Sequence, residues 1–189
     1  MNIFFVDSNP ALAASMLSNA HVRSQIKESI SMLATAHYMR GDDDDLDGLP
    51  PPTHRNHPCT KWVMTSRANY VWLYEHLVQL LIEYKLRWGN PNWREKYLDL
   101  LKKRPVGIPN KSVYASIPPA VVSEDLKPFK NTSWSNVVMA YRAYYNREKR
   151  HLHRWMVRQK PDWIIDDQQL TEALKQAKLE KQEMLLVAP

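Results

Sequence analysis

Apolar residues recur every three or four positions from Ala11 to Tyr38, with Leu12, Met16 and Leu17 leading to Val22, Ile26, Ile30 and Leu33. That period predicts helix, and a break around Ser18–Ala20 divides it in two. The strongest stripe runs from Arg67 to Trp88 through Tyr70, Leu73, Leu77, Leu80, Leu81 and Tyr84, with Gly89 as a natural stop. Shorter helices are predicted from Pro58 to about Ser66 and from Pro91 to Lys103. A longer one is predicted from Ser135 to Arg158, and a charged, leucine-bearing amphipathic helix over 168–185. Ahead of them all, Asn2–Val6 is an apolar run, a small strand or extended segment, ending in the helix start Asp7-Ser8-Asn9-Pro10.

Polar and proline-rich stretches separate these elements. Residues 40–53 carry Asp42, Asp43, Asp44, Asp45 and Asp47 before a Pro-Pro-Pro run, and read as a solvated acidic loop. Residues 104–133 hold prolines 105, 109, 118, 119 and 128 and read as mostly irregular. The expected fold is mainly α: a single compact helical domain over 1–163, opening with the short extended segment, followed by a C-terminal amphipathic helix or tail over 164–189. A chain of 189 residues buries about two-thirds of its unfolded surface, so it needs no cross-links to fold.

Composition narrows the function. The one cysteine, Cys59, allows no intrachain disulfide and no cysteine-based zinc cage, which fits a reducing compartment. The opening MNIFFVDSNP lacks the charged start of a secretory signal, and no run approaches the length of a membrane span. A cytoplasmic location with no membrane partner is the expectation. The net charge is +6 despite the acidic block, so the remainder is more basic than the total, and nucleic acid is the indicated partner.

Four constellations could carry chemistry. His21 and Glu28 are seven residues apart, close to two helical turns, and share a face, with Arg23 and Lys27 on an adjacent one. A cationic rim around a carboxylate suits a phosphate backbone and a developing positive charge; a core-edge histidine beside a surface ion pair is the plainer reading. His54, Asn56 and His57 in Thr53–Pro58 could line a pocket or meet a phosphate. The two histidines lack a third ligand, so no metal is expected. Lys61 and Trp62, then Arg67 and Asn69 at a helix start, could hold anions and stack bases. Finally, Arg142, Arg147, Arg150 and Arg154 belong to six cations through Arg158 on one predicted helix with a single acid, Glu148, interleaved with aromatic residues. No nucleotide-type glycine loop, HExxH or G-x-S-x-G pattern occurs.

Taken in order, His21 with Glu28, the helix ending Ile82–Glu83–Tyr84–Lys85–Leu86–Arg87–Trp88–Gly89, and the basic stretch closing with Lys160–Pro161–Asp162–Trp163 resemble the T-even phage pyrimidine-dimer DNA glycosylase and AP lyase family (endonuclease V). The opening NIFFVDSNPALAA and the T-H-x-N-H-P … W … S-R-x-N-Y block resemble related phage proteins. The resemblance covers about 110 residues and leaves the acidic loop, 104–133 and the tail without a counterpart. It implies an N-terminal amine that attacks the deoxyribose C1′ of a damaged or modified pyrimidine nucleotide, a Schiff base, and strand scission by elimination. Glu28 would stabilise the sugar cation and assist proton transfer, His21 belongs to the same motif, and Lys27 stands where the family has a phosphate-binding arginine. That family exposes a small residue after losing its initiator methionine; here position 2 is Asn2, whose bulk leaves Met1 in place and makes the Met1 amine the nucleophile. Free α-amines titrate at about 7.7–8.0, so a fair fraction is unprotonated near neutrality.

The expected partner is therefore DNA, duplex by this resemblance, with no cofactor, and a protein partner through the C-terminal helix is the further expectation. Two alternatives stay open. One is a non-enzymatic nucleic-acid-binding or host-interaction protein, since the IFFV run could bury the terminus. The other is a transferase that hypermodifies a DNA base with the same site.

Overall fold

Asn9 accepts hydrogen bonds from the amides of Ala11 and Leu12, and Pro10, which has no N–H to lose, stands in the first turn. Together they start α1 (Pro10–Met16) in the computed structural model, which describes residues 1–42, 46–114, 116–127 and 133–166, with 168, 169, 171, 172 and 175 beyond. The remaining helices are α2 (Asn19–Arg40), α3 (Pro58–Val63), α4 (Arg67–Trp88), α5 (Leu98–Lys102) and α6 (Trp134–Glu148), with single 3-10 turns at Trp93–Tyr97, Glu124–Leu126 and Arg150–Leu152. There is no strand among the described residues, and the protein is mainly helical.

Two long helices form the frame. α2 and α4 lie antiparallel: Arg87 reaches the Asn19 carboxamide (3.2 Å) at one end, and His37 Nε2 meets the Tyr70 hydroxyl (2.9 Å) at the other. α1 packs on α4, and α3 on α2. Ser66 caps α4 by accepting from the Asn69 amide, and Gly89, with φ 78°, ends it in the left-handed conformation that glycine adopts without a Cβ clash.

The N-terminal run Ile3–Val6 is extended but forms no ladder. It threads the core, with Ile3, Phe5 and Val6 fully buried. The Phe5 ring meets Trp72 (4.8 Å), Trp62 (5.1 Å), Trp134 (5.7 Å) and Tyr141 (5.7 Å), centroid to centroid. Burying each such side chain contributes roughly 1.5–3 kcal/mol. The start of the chain is thus an internal strut.

Several expectations are corrected. The basic helix predicted to Arg158 stops at Glu148, because the chain turns back toward α1 and α4. The His153 ring donates to the Tyr145 carbonyl (3.0 Å), the Trp155 indole to Met16 O (3.1 Å), and the Arg158 guanidinium to the buried Glu83 carboxylate (2.6 Å). The predicted Pro91–Lys103 helix is a 3-10 turn followed by the short α5. The acidic loop is not wholly solvated, since Leu49 is buried; residues 43–45 lie outside the described residues. Packing continues to Ile164, and the predicted helix over 168–185 lies largely outside the described residues. Among the described residues, no helix is long and apolar enough to cross a membrane.

Candidate active site and nucleic-acid interface

Because Ile3–Val6 is anchored, the first two residues emerge at a fixed place, beside the middle of α2. The Asn2 amide donates to Glu28 Oε2 (2.5 Å), and the Met1 amine lies 4.0 Å from the same oxygen. Met1, Asn2, His21, Ser24 and Glu28 line a cleft of about 480 Å³, closed on its other side by Val121, Tyr144, Lys149 and Leu152. The run is buried, and Met1, its side chain 5% exposed, lines the cleft ahead of it.

Asn2 is held from several sides. Its carboxamide oxygen accepts from the Tyr141 hydroxyl (2.8 Å) and the Ile3 amide (2.8 Å), and its nitrogen donates to Val121 O (2.9 Å). The Cys59 thiol also points at that oxygen (3.7 Å); burial pushes its pKa up to about 12, so it is a packed thiol rather than a nucleophile. Met1 is steadied from behind by α3. Thr60 contacts its sulfur (3.8 Å), and His57, the N-cap of α3, hydrogen-bonds its backbone. Burial, then the charge of the terminus, lowers the His57 pKa.

His21 faces the cleft as a neutral ring. Burial, then Lys149, lowers its pKa to about 4. The Tyr145 hydroxyl accepts from the Ser18 amide (2.8 Å) and hydrogen-bonds His21 Nδ1 (2.6 Å), which fixes the ring's place in the cleft wall. Phe4 packs on the ring at 4.4 Å.

A second cleft, of about 400 Å³, adjoins the first and shares Ala20 and Leu152 with it. Arg23, His151 and Arg154 line it, and the Arg23 guanidinium lies 4.3 Å over the Trp88 ring. The two clefts make a groove with a carboxylate and an amine in one part and cations in the next.

The remaining predicted residues are scattered. Lys27, His54, Asn56, Lys61 and Arg67 are exposed and outside both clefts. Trp62 is no stacking platform: it is 3% exposed, and its indole donates to Ser116 O (3.1 Å). Asn69 is fully buried, donating to Trp62 O (2.8 Å) and Thr65 Oγ1 (2.7 Å), so it locks the turn before α4. The start of α4 is no anion site either, because the Arg67 and Ala68 amides donate to Pro109 O (2.8 Å) and Lys111 O (3.1 Å). Of the basic stretch, Arg142 holds Val6 O (2.9 Å) and Asp7 (3.5 Å), Arg147 pairs with Asp125 and Glu148, and Arg150 holds Ile165 O (2.9 Å). Of those four, Arg154 lines the groove beside Met1 and Glu28. No group of three metal-ligating side chains occurs among the described residues.

Sequence reasoning overlooked Asn2, Tyr141, Tyr145 and Lys149. The last three are four residues apart in succession, hence on one stripe that runs along α6 and just past its end, and that spacing was the available signal. No protein-family model, curated protein or solved structure matches this chain.

Proposed function

We propose that this protein is a DNA glycosylase with AP-lyase-like chemistry, acting on a damaged or modified pyrimidine nucleotide through the Met1 amine and Glu28. The observation that carries the reading is the amine 4.0 Å from a helix carboxylate at the edge of an open cleft. At that separation one water can bridge the pair, and catalytic contacts often shorten once substrate is bound.

In the reaction, the unprotonated amine attacks C1′, forming a C–N bond as the glycosidic bond breaks and the base leaves with its electron pair. Glu28 accepts a proton from the attacking nitrogen and stabilises the positive charge on the sugar. Ring opening gives an imine, loss of a C2′ proton follows, and the 3′ phosphate leaves. His21 lines the cleft where a sugar or phosphate oxygen would pass, and Tyr144 lines the wall against which an extruded nucleotide could rest. The Asn2 amide, bound to Glu28 at 2.5 Å, orients the carboxylate toward the amine.

Borohydride reduction during incubation with an abasic duplex tests this reading, because it converts the imine to a stable adduct. The wild-type protein is expected to be trapped, and Glu28→Gln to reduce trapping by about 100-fold or more, the scale of a lost general base. Salt-sensitive duplex binding without an adduct would instead mark a nucleic-acid binder that performs no chemistry.

A further inference from the structure

Lys149 stands just past the end of α6, and its backbone is fixed there. Its amide donates to Tyr145 O (3.3 Å), and its carbonyl accepts from the Leu152 amide (2.9 Å). Its neighbours in the basic stretch serve the fold: Arg147 pairs with Asp125 and Glu148, and Arg150 holds Ile165 O. The Lys149 ammonium forms no ion pair or hydrogen bond among the described residues and lies 5.0 Å from the centroid of the Tyr144 ring. Both side chains line the cleft that holds Met1 and Glu28. After burial itself, the charge of Lys149 is the largest cause of the lowered His21 pKa, which places that charge at the same cleft.

The two walls of this cleft are pinned together. Tyr145 reaches from α6 to His21 on α2 (2.6 Å), and Tyr141, one turn earlier, donates to Asn2 (2.8 Å). The N-terminus and α2 thus supply an amine and a carboxylate on one wall, and the end of α6 supplies an aromatic ring and an unpaired cation on the other. Displacement at a sugar carbon puts the nucleophile and the departing group on opposite faces of that carbon. An amine at one wall therefore directs the base towards the other.

We infer that Lys149 is a catalytic residue for base release, its ammonium donating a hydrogen bond to the pyrimidine O2 as negative charge builds there. This deepens the function proposed above and rests on it. The C1′–N1 bond breaks as the bond from C1′ to the Met1 nitrogen forms, and its electron pair passes into the base, where O2 carries much of the charge. Glu28 takes the proton lost from the attacking nitrogen. Lys149 keeps its protons, and the pyrimidine anion takes one from water after it leaves. A fixed cation at the point where charge develops lowers the barrier of the step that creates the charge. An abasic sugar has already lost its base, so its capture by Met1 makes no such demand on Lys149.

Paired assays on the full-length protein separate the two steps. One follows borohydride trapping on an abasic duplex. The other follows glycosidic cleavage, read by mass spectrometry, in duplexes that carry a thymine dimer, 5-hydroxyuracil or 5-fluorouracil. Lys149→Met keeps the side-chain length and removes the charge. It is expected to slow glycosidic cleavage by about 100-fold, the scale of one lost donor at a developing anion, and to change abasic trapping by about threefold or less. Lys149→Arg, which restores a cation, is expected to recover about tenfold or more of the loss. Trapping that persists also shows that the variant is folded. Equal losses in the two assays, or cleavage by Lys149→Met at the wild-type rate, would overturn the role of Lys149. Wild-type trapping without cleavage of any of the three duplexes would do the same and leave the amine chemistry standing. A wild-type protein that neither cleaves nor is trapped would overturn both.

Discussion

The Tyr145 hydroxyl links the ring of His21 to the backbone of Ser18, and burial, then the charge of Lys149, keeps that ring neutral. The consequence is a dependence of stability on pH with a definite sign. The unfolded chain takes up a proton on this histidine near 6.5, whereas the folded protein resists until about 4. Across that window the unfolded state binds more protons, so stability falls as pH falls, by roughly 3 kcal/mol for this group when complete. His76, fully buried with its pKa lowered to about 3 by burial, adds to the loss in the same direction. Urea midpoints at pH 7 and pH 4.5 should therefore differ clearly, and His21→Gln should flatten part of the difference. Equal midpoints for the wild-type protein would contradict the assignment of a neutral His21. Asn2 matters at the same scale: replacing its carboxamide would take the acceptor from the Ile3 amide and leave the Tyr141 hydroxyl only Pro119 O (3.1 Å) to donate to, loosening the segment that carries the chain's first nitrogen.

Helices α2 and α4 were legible in the sequence because each has a long apolar stripe with plain end signals; α4 begins at Arg67 and ends at Trp88 as its pattern predicted. The end of α6 was not legible. It depends on Arg158 finding Glu83 and Trp155 finding Met16, contacts 75 and 139 residues apart in sequence. The same distinction runs through the site. His21 and Glu28 share a helix face and could be paired by spacing, but nothing local shows that Asn69 and Trp62 are buried or that Asn2 bonds across to Tyr141. Capping offers a quantitative check at this scale. Ser66 caps α4 from a buried position, so Ser66→Ala is expected to cost about 1 kcal/mol or somewhat more in urea unfolding. A change within a few tenths of a kcal/mol would mean that the Asn69 network, rather than the cap, holds that end.

At the scale of the whole molecule, the net charge of +6 is distributed unevenly. Arg87, Arg142, Arg147 and Arg158 pair with Glu83, Asp7, Asp125, Glu148 or backbone carbonyls, and so serve the fold. Arg23, Lys149 and Arg154 line the groove that contains Met1 and Glu28. The fold thus uses a threaded N-terminus to hold an amine near a carboxylate, with Lys149 in the same cleft and Arg23 and Arg154 in the adjoining one. Two amines border the cleft, those of Met1 and Lys149, and the proposed chemistry assigns the reaction to the first. Mass mapping of the borohydride-trapped adduct decides between them. The account predicts that the deoxyribose remnant is carried on the nitrogen of Met1, in the N-terminal peptide; a remnant on Lys149, or no adduct from a protein whose terminal amine is shown to be free, would contradict it.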